Sequence, residues 1–142
     1  MKKTTATMVV MLIATLTFAQ KMQEKNVPAN VKTAFQKKYP GATEVKWNKE
    51  EGNYEASFDL NKTDNSVLMD AQGNILENEV EIAVSQLPKG ALDYVKTHYA
   101  GKQVKEAAKI TDAKGTVTYE VEIKGMDLIF DNNGKFIKEI KV

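Results

Sequence analysis

The chain has 142 residues, 20 of them basic and 19 acidic, for a formal net charge of +1. Every basic residue is lysine, so the positive, arginine-bearing surface that reads phosphate or guanine is absent and nucleic acid is not an expected partner. The cysteine count is 0, which removes thiolate catalysis, cysteine-ligated metal and disulfide support together and leaves packing to hold the fold.

In chain order, residues 1–19 read as a signal peptide. Lys2 and Lys3 form its positive start, Met8 to Leu16 its apolar centre, and Ala19 offers a small residue at the cut before Gln20. The apolar run is shorter than the roughly 20 residues a membrane span needs. No cysteine follows the cut for lipid attachment. The expected mature chain is therefore periplasmic or secreted, with no membrane anchor after cleavage. Its first residues, Gln20 to Asn26, are polar and read as a flexible terminus.

A first helix is expected to start near Pro28, where a missing N–H does no harm. Val31, Ala34, Phe35 and Tyr39 form its apolar stripe, and Pro40-Gly41 stops it. Strands follow near Val45–Trp47, Tyr54–Leu60, Ser66–Asp70 and Asn74–Ala83, with turns at Glu51-Gly52-Asn53, Asn61–Asn65 and Asp70–Gly73. The scheme then recurs about sixty positions on, the length of a whole supersecondary unit. Pro88 opens a second helix carrying Ala91, Leu92, Val95 and Tyr99, and Gly101 ends it. Gly90 in its first turn reads as a mild defect of about 1 kcal/mol. Strands follow near Val104–Ile110, Thr116–Ile123, Met126–Asp131 and Lys135–Lys141, the last two joined by Asp131-Asn132-Asn133-Gly134. Half a chain of this size would own only a marginal core, so the two halves are expected to share one.

Period-two alternation assigns the faces. Trp47, Tyr54, Phe58, Tyr119, Val121 and Ile123 should turn toward the helices, and Glu55, Asp59, Glu120 and Glu122 toward water. In the last strand of each half the parity is ambiguous: Glu77, Glu79 and Glu81 share one face, but Lys138 and Ile140 do not behave alike, and a bulge in one of the two strands would account for this. The resulting fold class is α+β. It is a tandem repeat, about residues 27–83 and 87–142, of a helix followed by four antiparallel strands. One continuous antiparallel sheet carries two helices on one face, and residues 20–142 form a single domain.

The ordered motifs resemble the PepSY-like family of beta-lactamase-inhibitor-like proteins, exported proteins typical of Bacteroidetes. They run from Val27-Pro28-Ala29-Asn30-Val31 to Tyr39-Pro40-Gly41-Ala42, then Val45-Lys46-Trp47, Asn53 to Phe58, and Asp70 to Gly73. Leu87-Pro88, Tyr99-Ala100-Gly101, Thr118 to Glu122 and Phe130 to Gly134 repeat the pattern. The resemblance covers nearly all of the mature chain. It implies a fold similar to beta-lactamase inhibitor protein, no enzyme activity and no agreed ligand.

Candidate chemistry is sparse. His98 is the lone histidine and has neither a nucleophile nor an orienting partner in sequence; at the end of a helix it suits the helix dipole. Asp131 to Gly134 resembles the opening of a calcium loop, but glycine comes at the fourth position where such a loop needs it at the sixth, so a hairpin turn is expected. No catalytic residue, metal ligand set or cofactor site is assigned. The binding residues expected on the exposed sheet face are Glu55, Asp59, Glu120 and Glu122, for a protein or peptide partner. The alternative is a small-ligand or cation-binding envelope protein.

Overall fold

The computed structural model describes residues 20–142, so the signal peptide expected at 1–19 lies outside the described residues. Nine strands pair in sequence order in one antiparallel sheet: β1 (Gln20–Met22), β2 (Thr43–Glu50), β3 (Asn53–Leu60), β4 (Thr63–Met69), β5 (Ile75–Ile82), β6 (Glu106–Asp112), β7 (Val117–Ile123), β8 (Met126–Asp131) and β9 (Phe136–Lys141). Helix α1 (Ala29–Lys38) precedes β2, and α2 (Lys89–His98) precedes β6. No helix among the described residues is long and apolar enough to cross a membrane.

Both helices begin one position later than the prolines suggest. Pro28 and Pro88 are the N-caps, with extended ψ of 140° and 138°, and the Pro28 carbonyl accepts from Lys32 N at 3.1 Å. At the other end each helix is tied to the last strand of its own half. The Tyr39 hydroxyl accepts from Asn78 Nδ2 at 3.3 Å, and the Tyr99 hydroxyl donates to Glu139 Oε2. Asn78 and Glu139 stand five residues after the turn glycines Gly73 and Gly134 in β5 and β9.

The alternation sorts the strand residues as expected. Trp47, Phe58, Val121 and Ile123 are buried against the helices, while Tyr54 and Tyr119 are half-buried at the margins. The shared core is not observed, however. Val27, Val31 and Phe35 pack with Trp47, Ala56, Phe58, Val67 and Met69 under α1, whereas Leu87, Ala91 and Val95 pack with Ala107, Val121, Ile123, Leu128 and Phe130 under α2. The buried residues under each helix come from the helix, its lead-in and the strands that follow it, with Met22 of β1 and Ile82 of β5 packing at the margins of the first and second cluster, so what runs through both halves is the sheet. The β5–β6 ladder, from Glu77↔Asp112 to Ile82↔Ala107, makes that connection.

The stretch Gln20–Asn26 is also ordered, contrary to the flexible reading. Met22 pairs with Trp47 and packs on the first core, and Glu24–Asn26 form a 3-10 turn that delivers the buried Val27. One apolar side chain at the right place outweighs the polar composition around it. β1 thereby covers the Trp47–Lys49 stretch of β2, as Ile82 of β5 covers Ala107. Both last strands carry a bulge, where the ambiguous parity suggested one. Leu76 is the extra residue opposite Leu68 and Met69, and Ile137 the extra residue opposite Ile129 and Phe130.

Gly90 is a contact and not a defect. A Cβ there would stand 3.0 Å from the Gly134 carbonyl oxygen, and one on Gly134 (φ +80°) only 2.8 Å from Ala91 N. Helix α2 therefore seats directly on the β8–β9 turn. In the first half Asn30 occupies the corresponding position and bonds the β4–β5 turn instead, Nδ2 to the Ala71 carbonyl at 2.7 Å. We expect Gly134→Ala to lower the urea-unfolding free energy by about 2–3 kcal/mol and Gly90→Ala to lower it despite alanine's helix preference. Gly115→Ala, equally left-handed at φ +82° but in open space, should cost only about 1 kcal/mol from backbone strain.

Candidate functional site

Among the described residues no helix covers the face of the sheet away from α1 and α2, and the register assembles it into rows running across the strands. One row reads Asn48, Glu55, Leu68, Glu77, Asp112. The next reads Lys46, Ser57, Ser66, Glu79, Ile110, Thr118. A third, Ala108, Glu120, Ile129, Lys138, begun by Glu81 of β5, and a fourth, Glu106, Glu122, Asp127, Ile140, lie mainly in the second half. Parity alone produces this. Every core residue of a strand sends its neighbours to the opposite face, and the β5–β6 ladder keeps that parity across the two halves.

The rows are not flat. Ala108, Ile110 and Ile129 are only 7–9% exposed although no helix lies over them. Their cover comes from neighbours on the same face, which means that the sheet curls toward that side. Small residues deepen the curl, because Ser57, Ser66 and Ala108 stand where longer side chains would fill the space. The result is a groove of about 330 Å³ reached from β2 through β7, with Lys46, Glu79, Glu81, Glu106 and Glu120 among its walls.

Electrostatics set this groove apart. Burial, reinforced by Glu77, Glu55, Asp127 and Glu106, pushes the Glu79 carboxyl up to about 7. Burial followed by Glu79, Asp127, Glu122 and Glu77 pushes Glu120 up to about 8. Glu77 and Asp127 are raised as well, burial again being the first cause, and Lys138 and Lys105 respectively pull the other way. A carboxylate loses water as it is buried and gains no cation in return, so the neutral form is favoured. Among the described residues no group of three or more acidic or histidine side chains is arranged to hold a metal ion.

The four residues expected on this face are all there, and two of them, Asp59 and Glu120, line the groove. Glu55 accepts from Asn48 Nδ2 at 3.2 Å. Asp59 faces Asp64 across β3 and β4, and their shared hydrogen bond raises its pKa. Glu122 pairs with Lys105 at 3.3 Å. Only Glu120 lines the groove with a carboxyl that has no such partner. Its natural companions, Glu79 and Glu81, were visible in the sequence as an alternating glutamate run, yet the bulge at Leu76 hid which face they share. His98 stays outside, its Nδ1 3.1 Å from the Tyr94 carbonyl and its ring stacked on Tyr94 at 3.9 Å. Asp131 is committed to a turn: its Oδ1 accepts from Asn133 N and Lys135 N at 2.8 and 2.9 Å.

The raised carboxyls fix a pH dependence. Their folded-state pKa values exceed the unfolded one, so the folded chain holds protons that the unfolded chain gives up. The penalty is absent below the unfolded pKa near 4.5 and is complete above about 8. The turn aspartates Asp70 and Asp112 act oppositely, because backbone and side-chain hydrogen bonds lower their pKa and their contribution fades in stronger acid. Stability should therefore be greatest near about pH 5 and fall by on the order of 2 kcal/mol toward pH 8, after allowance for coupling between the two glutamates. Urea titrations across that window should show the slope, and Glu120→Gln should flatten it. A midpoint that is flat or rises with pH would contradict the assignment.

Comparison with known proteins agrees with this architecture. The profile of the family described as "Putative beta-lactamase-inhibitor-like, PepSY-like" matches twice, over residues 16–77 and 58–138. A BLIP-like protein from Bacteroides fragilis has 24% identity and a TM-score of 0.65, with 81% of this chain and 86% of that one aligned. A DUF2874 family protein from Bacteroides uniformis has 24% identity and a TM-score of 0.71, covering 81% and 89%. A Bacteroides eggerthii protein with a periplasmic description reaches a TM-score of 0.73 at 15% identity, covering 82% and 89%. At these identities the likeness is one of fold. No curated protein of known function matches. With both profile matches spanning nearly all the described residues, the chain belongs to the beta-lactamase-inhibitor-like, PepSY-like family.

Proposed function

We propose that this chain is an exported, periplasmic, non-enzymatic binding module whose open sheet face recognises a protein or peptide. We take it to be a tandem duplication of one helix plus four strands. The observation that carries the reading is the convergence of carboxylates and small side chains from both halves on one groove, in a face that no helix covers among the described residues. The remaining polar chemistry is spent on structure: turn aspartates on backbone N–H groups, His98 on a helix carbonyl, Tyr99 on Glu139. The two clusters of buried residues under the helices support the same conclusion, since they lie on the side of the sheet opposite the groove.

A photo-activatable residue placed at Ser57 or Thr118, both on the open face, should give covalent protein adducts in whole cells. The same residue at the exposed Lys37 of α1 should not. Adducts from Lys37 alone, or from none of the three, would remove the basis for the reading. The groove volume also falls within the range of small-ligand sites, roughly 300–1,000 Å³, which keeps the cation-carrier alternative in play. A melting temperature unmoved by calcium or magnesium would dismiss that second reading.

A further inference from the structure

We propose, on the reading that the open sheet face is the docking surface, that its partner is a basic, extended segment of another protein, held by a lysine or arginine side chain entering the groove between Glu79, Glu81 and Glu120. Three features argue for this occupant.

The first is charge complementarity at fixed positions. Glu79 and Glu81 of β5 and Glu106 and Glu120 of the second half line the groove, and among the described residues Lys46 is the only lysine lining it. Glu81 and Glu120 stand on either side of Ala108 in the ladder, with Glu79 one row away. The single methyl of Ala108 leaves room above it for a side chain coming from outside. The second is that, among the described residues, neither Glu79 nor Glu120 has an ion pair or hydrogen bond of its own, whereas Glu55 and Glu122 do. A carboxyl left half-buried without a counter-charge is an unfavourable arrangement that an incoming ammonium or guanidinium would relieve. The third is the floor. Phe58, Ala107 and Ala108 line the groove among the acidic positions and give apolar contact to the stem of a long basic side chain, which buries its methylenes while its head stays polar. The acidic groups do not form a metal-holding set, which favours an organic cation.

Proton release should accompany binding. In the free protein Glu79 and Glu120 face Glu55, Glu77, Glu106, Glu122 and Asp127, with Lys46, Lys105 and Lys138 as the nearby cations. Near neutral pH the pair retains part of its protons, and a bound cation expels them. Affinity for a basic peptide therefore rises with pH, opposite to the trend in fold stability.

The test is calorimetric titration of residues 20–142 with an alternating lysine–valine peptide of about ten residues, beside an alternating glutamate–valine control. Measurements at about pH 6 and about pH 9 should differ by about tenfold or more in affinity, tighter at the higher pH. Heats in buffers of different ionisation enthalpy should report proton release. Glu79→Gln/Glu120→Gln should keep a cooperative melt and lose both the pH dependence and most of the affinity. Binding equal for the two peptides, binding untouched by the double substitution, or displacement of the peptide by calcium alone would overturn the basic-segment assignment. If open-face cross-links persist while the lysine–valine peptide does not bind, the docking face stands and its basic partner falls. If the cross-links are absent too, both fall.

Discussion

The backbone ladder between β5 and β6 is the constraint on which the rest depends. Six residue pairs, from Glu77↔Asp112 to Ile82↔Ala107, join two halves whose buried apolar residues form separate clusters. Because side chains alternate strictly along a strand, this one register decides that both halves send their apolar residues to the same side. A slip by a single residue would turn the second core outward and bring its glutamates beneath α2. The ladder also places Glu79 of one half beside Ile110 of the other and Glu81 beside Ala108. The acidic groove and the placement of both helices thus follow from the same set of hydrogen bonds.

The two halves solve a common packing problem with different residues. Where Asn30 reaches out to the Ala71 carbonyl, Gly90 lets α2 settle on Gly134 itself. Where Phe35 meets Trp47 and Phe58 edge to face under α1, with Tyr39 tilted against Phe58, the second half has small and branched side chains at Val95, Ala107 and Ile123 and its aromatics at Tyr94, Phe130 and Phe136. The two clusters are thus filled by different components, as is expected when volume and patterning matter more than identity.

Much of this was legible in the chain. Proline and glycine punctuation located both helices, and alternation in β3 and β7 assigned their faces, because each of those signals is local. What could not be read depended on partners distant in sequence. β1 looks polar until Met22 is placed beside Trp47. The separation of the cores depends on which strands each helix covers. The groove acids Glu79 and Glu81 were obscured by the Leu76 bulge, and their half-burial requires a curl that no sequence period announces. Gly90 looks like a weakness of α2 until the turn at Gly134 is seen against it.

The division of labour between the two faces has a consequence for how such a chain can change. Residues beneath the helices are held in place by packing, while the rows on the other side answer mainly to solvent and to one another. Substitutions at the solvent-facing positions of those rows can alter what the molecule recognises while leaving the helix-side clusters in place. A lineage could therefore readdress the surface many times on an unchanged frame, and an engineer could do the same by rewriting the outward positions of β3 through β7.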